Sequence, residues 1–98
     1  MIRHIVMWKL LGDQSERRRN ALSMKEKLEG LMGVIPQLKS ARVKLCCNPS
    51  PDCYDAVFIA EFETLADLAI YQAHPAHMEI SAFCKSVRES RAALDYEI

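Results

Sequence analysis

The sequence predicts an α+β fold of four strands and two helical regions, in the order βαββαβ. Three observations carry this. Four short runs are apolar or alternate with period two, two longer stretches open on helix caps, and clusters of turn residues separate them. Ninety-eight residues are enough for one domain, spanning 1–98. A chain of this size buries roughly 60–65% of its unfolded surface, so self-association is a natural way to add stability.

Ile2 to Leu11 reads as the first strand. Its near-continuous apolar character predicts cover on both faces. Alternation places Ile2, His4, Val6 and Trp8 on one side and Arg3, Ile5, Met7 and Lys9 on the other. Gly12 to Ser15 turns the chain, with Asp13 and Glu16, or Ser15 alone, able to cap a helix over Glu16–Met32. Its inward stripe is predicted as Ala21, Leu22, Leu28, Leu31 and Met32, flanked by Met24, and Gly33 is its stop. Arg17, Arg18 and Arg19 lie in the first turn, where cations oppose the helix dipole, and read as a solvated face.

Lys39–Cys46 is the second strand, with Ala41, Val43 and Leu45 inward. Tyr54–Phe62 is the third, with Tyr54, Ala56, Phe58, Ala60 and Phe62 on one face. Thr64 and Asp67 form a capping box for a helix from Leu65, with Leu65, Leu68, Ala69 and Tyr71 turned inward. Pro75 disfavours helical geometry at His74 and suits the first position of a new helix, to about Val87. Met78, Phe83, Cys84 and Val87 are its expected core side. Ser90–Ile98 is the last strand, with Arg91, Ala93, Asp95 and Glu97 sharing a face. This order is the split-βαβ, ferredoxin-like plan, a four-stranded antiparallel sheet with helices on one face. The opposite face keeps Ile5, Met7, Val57 and Ile59, and a second copy packed sheet to sheet is the simplest cover.

Thirteen basic and thirteen acidic residues cancel, so nucleic acid is not an expected partner. The N-terminus enters a strand directly, and no apolar run approaches a membrane span. A cytoplasmic protein with no membrane partner is expected. Cys46, Cys47, Cys53 and Cys84 then read as reduced, incidental thiols.

The chemistry concentrates in Tyr71-Gln72-Ala73-His74-Pro75-Ala76-His77, which holds one phenol and two of the three histidines. Removing a proton beside a carbonyl needs a base, and the oxyanion that forms needs a donor. Neutral imidazole suits the first role near neutral pH and a phenol suits the second. His77 is the predicted base and Tyr71 the predicted donor. Asp95 is expected to orient His77, and His4 to line the pocket. Val6, Trp8, Phe58 and Phe83 are the expected apolar walls. Bland readings stand beside these: His74 as a helix N-cap, Tyr71 as a core tyrosine, His4 as a buried histidine bonded to backbone. A three-histidine metal site is disfavoured by the break at Pro75, and no metal or cofactor is called for.

Met1-Ile2-Arg3-His4-Ile5-Val6, Ile35-Pro36, Glu61-Phe62-Glu63-Thr64-Leu65, Tyr71, His74-Pro75-Ala76-His77 and Asp95-Tyr96 together resemble the stress-responsive dimeric α/β-barrel (Dabb) family, over essentially the whole chain. The resemblance implies a homodimer whose two sheets form a barrel. One branch, the plant olivetolic acid cyclase, performs cofactor-free aldol cyclisation. Its functional tyrosine and histidine resemble Tyr71 and His77, and its supporting histidines resemble His4 and His74. That branch has a strand histidine where this chain has Ala56, and aromatic rings where it has Leu22, Ser23 and Glu26, so polyketide specificity does not carry over. Two function classes follow. One is a cofactor-independent cyclase, isomerase or lyase acting on a small, apolar carbonyl compound. The other is a non-catalytic dimeric stress-response or small-ligand-binding protein.

Overall fold

A computed structural model describes residues 1–98. The elements run β1 (Ile2–Leu10), α1 (Gln14–Glu29), β2 (Ser40–Leu45), β3 (Ala56–Phe62), α2 (Leu65–Ala73), α3 (Pro75–Val87) and β4 (Arg88–Glu97). The strands form one antiparallel sheet in the order β2-β3-β1-β4, the arrangement expected of a ferredoxin-like chain. β1 is central. His4 lies opposite Ala60 on β3 and Asp95 on β4, and Trp8 lies opposite Ala56 and Arg91.

One side of the sheet meets the helices. Ile2, Val6, Trp8 and Leu10 from β1 and Phe58 and Phe62 from β3 are buried there with Met24 and Leu28 of α1, Leu68 and Tyr71 of α2, and Cys84 of α3. The other side keeps its apolar patch. Ile5, Val57 and Ile59 are half-buried, while Met7 and Leu94 are exposed beside Tyr96.

Asp13 caps α1 by accepting from the Glu16 amide at 2.8 Å. Thr64 caps α2 by accepting from the Asp67 amide at 3.1 Å. α1 stops at Glu29, earlier than Gly33 suggests. Gly33 instead takes a positive φ of 83° in the turn that follows. The stop is reinforced by Glu29, whose carboxylate accepts from Lys25 Nζ (2.8 Å) and from the Val43 amide (2.9 Å), tying α1 to the edge strand β2. Those two bonds hold the Glu29 carboxyl below the usual carboxylate range.

Several predicted core positions face solvent. α1 buries Ala21, Met24 and Leu28, so Leu22 is exposed and Met24 is fully enclosed, while Met32 lies beyond the helix end in the turn and is exposed. At about 100° per residue, Leu22 points well over 90° away from that stripe. Leu65 lies about 90° from the line through Leu68 and Tyr71, and Ala69 still further, so both are exposed. Met78 is on the outer side of α3 for the same reason. β4 begins at Arg88, two residues before its predicted start, because the chain passes straight from α3 into pairing with Leu10.

Cys46 and Cys53 are joined by a disulfide, which corrects the expectation of four free thiols. The turn between β2 and β3 doubles back, with the Cys46 amide bonded to the Asp55 carbonyl and the Cys53 amide to the Ser50 carbonyl, and this brings the two together. Cys47 is exposed and Cys84 is buried, where desolvation pushes its thiol up to about 11. Without reductant, a native thiol titration is expected to find one fast-reacting group, Cys47, with Cys84 reacting only on unfolding. Three fast groups would contradict this arrangement.

Candidate functional site

Pro75 builds the site. With φ −67° and ψ 134°, His74 is extended, so α2 ends and α3 begins on one residue. The His74 amide donates to the Tyr71 carbonyl at 3.1 Å, and His74 Nδ1 accepts from the Ala76 amide at 3.1 Å. His74 is therefore the joint and N-cap, turned to the backbone rather than into the pocket. The break sets Tyr71, in the last turn of α2, against His77, in the first turn of α3. Their ring centroids are 4.4 Å apart with planes inclined at 48°.

His77 Nδ1 lies 3.1 Å from the Gln72 carbonyl. A carbonyl only accepts, so Nδ1 carries the proton and Nε2 keeps its lone pair. Burial, the largest effect, holds the imidazolium of His77 below its ordinary pKa. The bond to Gln72 opposes this, and the nearby His4, Arg91 and His74 add to it. The ring is accordingly neutral near pH 7. Tyr71 is completely buried, and its hydroxyl has no hydrogen-bond partner. Burial, with a smaller contribution from Cys84, drives its pKa far above the ordinary phenol value, so it stays a donor at any physiological pH.

His4 comes from the middle of β1, edge-on to Phe58 and Phe62 at 6.1 and 6.4 Å. Its Nδ1 donates to the Asp95 carboxylate. Asp95 therefore orients His4 and not His77, correcting the sequence expectation. The antiparallel register sets Asp95 directly across from His4, whereas His77 finds its partner within its own helix junction. Asp95→Ala leaves a buried ring nitrogen without a partner and is expected to cost about 1–3 kcal/mol in denaturant unfolding, with Asp95→Asn milder. An unchanged midpoint for the alanine variant would contradict this pairing.

Around these groups lies a pocket of about 270 Å³. Val6, Trp8, Leu28, Phe58 and Cys84 line it beside His4, Tyr71 and His77, and its rim carries Gln72, Ser81, Lys85, Arg88 and Arg91. Trp8 contributes a second buried polar atom without a partner, its indole Nε1. Phe83 is not part of the lining. It packs half-buried beside the core, with Lys27 Nζ 5.1 Å from its ring centre. Leu22, Ser23 and Glu26 line a separate, open hollow on α1 with Arg18 and Arg19, so α1 reaches the pocket through Leu28 alone. A wider hollow of about 480 Å³, beside Lys9, Arg17, Asp55 and Glu89, contains no imidazole or phenol.

Sequence reasoning missed the rim. Its signals were the helical spacing of His77, Ser81 and Lys85, together with Arg88 just past the end of that helix and Arg91 on the Asp95 face of β4.

The family model of the stress responsive A/B barrel domain, Dabb, matches residues 2–98. The chain belongs to the Dabb family. Solved structures similar to this Dabb chain include a dimeric, ferredoxin-like protein of unknown function from Bacteroides fragilis, 31% identical, with a TM-score of 0.90 over 99% of this chain and 95% of the other. A Dabb family protein from Mesorhizobium loti is 23% identical, with a TM-score of 0.75 over 99% and 95%. The hydroxynitrile lyase of Passiflora edulis is 18% identical, with a TM-score of 0.78 over 99% and 92%, a likeness of fold. No curated protein matches the sequence. No helix is long and apolar enough to cross a membrane.

Proposed function

We propose that this Dabb chain is a homodimer, paired through the apolar sheet face, whose pocket performs cofactor-independent acid–base chemistry on a small carbonyl compound. The observation that carries the proposal is the pairing of a completely buried, unpartnered Tyr71 hydroxyl with an imidazole whose Nδ1 is already committed to Gln72. A buried hydroxyl without a partner costs about 1–3 kcal/mol, which a bound carbonyl oxygen would recover.

The chemistry follows from the two groups. His77 Nε2 removes the proton next to the carbonyl, the electron pair of the broken C–H bond forms the carbon–carbon double bond of the enolate, and the π pair of the carbonyl moves to its oxygen. Tyr71 donates to the enolate oxygen so formed. The enolate carbon then takes a proton back, as in isomerisation, or attacks a second carbonyl, as in aldol closure. The reverse of that attack is a lyase step. His4, fixed by Asp95, gives the far wall a polar edge among aromatic rings. That the Passiflora protein, named for lyase chemistry, has the same fold agrees with this reading.

The test is solvent-deuterium exchange, followed by proton NMR, on a panel of small aldehydes, ketones and hydroxynitriles. The proposal expects exchange or cleavage on at least one compound that disappears in His77→Ala. Binding of panel compounds with no His77-dependent exchange would instead support the ligand-binding alternative.

A further inference from the structure

The pocket rim carries three cations and nothing that neutralises them. Lys85 lies in the last turn of α3, Arg88 caps that helix, and Arg91 is on β4; all three line the pocket. The ion pairs of this chain are Arg3–Glu61 and Lys25–Glu29, and the Asp95 carboxylate is hydrogen-bonded to His4; none of these contacts uses a rim cation. Asp95, on the same face of β4 as Arg91, is already engaged by His4. In a chain of zero net charge, this is a local concentration of one sign.

The strand is built to allow it. On a regular strand, residues three apart point to opposite faces. Here Lys9 pairs with Ser90 but Leu10 pairs with Arg88, so Glu89 is one extra residue on β4, a β-bulge. The bulge returns Arg88 to the helix-facing side, opposite buried Leu10, while Arg91 sits on that side opposite buried Trp8. Two guanidinium groups therefore flank the mouth of a pocket whose walls mix Val6, Trp8, Leu28 and Phe58 with His4, Tyr71 and His77. The charges are felt within it: Arg91 opposes protonation of His77, and both arginines oppose the effect of burial on the Cys84 thiol.

We propose that the pocket selects a small compound bearing an anionic group, a carboxylate or phosphoryl, which Arg88 and Arg91 clamp at the rim while Lys85 draws it in. For the carbonyl end alone, this rests on the acid–base reading of His77 and Tyr71. A planar guanidinium can hold either anion through paired N–H donors. At about 270 Å³ the cavity falls below the roughly 300–1,000 Å³ of sites for drug-sized ligands, so the occupant is small.

The test is calorimetric titration of the full chain with phenylacetate, phenyl phosphate and the neutral isostere phenylacetamide. At least one anion is expected to bind tenfold or more tightly than the amide, and that anion identifies the group. The preference should shrink with added salt and collapse in Arg91→Gln and in Arg88→Gln. Arg18→Gln, on the exposed side of α1, should leave it unchanged. Arg88 caps α3, so circular dichroism checks that variant, and the exposed Arg91 decides the matter if Arg88→Gln unfolds. Equal binding of amide and anions, no binding of any probe, or a preference that survives Arg91→Gln overturns the proposal. Anion preference without proton exchange leaves the clamp standing and rejects the catalytic reading. Proton exchange without anion preference does the reverse.

Discussion

His77→Ala is expected to lower proton exchange on a responsive carbonyl compound by about 10²- to 10⁴-fold, the range for losing a positioned general base. Tyr71→Phe is expected to lower it by about 10²- to 10³-fold, the range for losing one oxyanion donor. The two should separate in stability. Tyr71→Phe removes a buried hydroxyl that has no partner, so unfolding should be unchanged or shifted slightly towards greater stability. A destabilised Tyr71→Phe with normal exchange would mean that the hydroxyl is structural. The pH dependence has a definite sign. The base is active when neutral, and His77 titrates below the ordinary histidine value of 6.5, so the rate should rise through a midpoint below 6.5 and then level off. Folding is linked in the same direction. The unfolded chain binds the proton more readily, so the stabilisation from keeping His77 neutral is complete above about pH 6.5 and is lost as pH falls through the folded value.

Leu94→Asp is expected to convert the proposed dimer to monomer at micromolar concentration, read as a halved mass by light scattering. Leu94 lies in a row across the sheet with Ile5 and Ile59 and is 63% exposed in the single chain. The substitution therefore leaves the core between sheet and helices untouched. A carboxylate there would have to be buried unpaired against the partner, at a cost of several kcal/mol. At 1.4 kcal/mol per tenfold, dissociation should rise at least about 100-fold. An unchanged mass would place the interface elsewhere.

The helix caps, strand alternation and Pro75 break were legible because each is a local signal. Asp13, Thr64 and His74 all cap where the sequence puts them. The alternation of β1 predicted that His4, Val6 and Trp8 face the helices, and they do. The signals failed where the answer depends on partners far along the chain. Asp95 and His77 lie 18 positions apart, but the register gives Asp95 to His4, 91 positions away. The rotation of α1 about its axis was misjudged because Leu22 and Met24 are both apolar, and only packing against the sheet chooses between them. The Glu89 bulge has no glycine or proline to announce it. The Cys46–Cys53 bridge likewise depends on how a turn folds back.

The joint at His74 has a consequence for how such a site can change. The distance between Tyr71 and His77 is set by one backbone turn within seven residues. The surrounding walls belong to other elements: Trp8 to β1, Leu28 to α1, Phe58 to β3 and Arg91 to β4. On the proposed roles, reactivity rests with residues 71–77 and selectivity with these separate walls. Libraries that vary Leu28 and Arg91 are then the route to retuning what enters, whereas Phe58, stacked on Tyr71 with ring centroids 6.5 Å apart, is held with the pair.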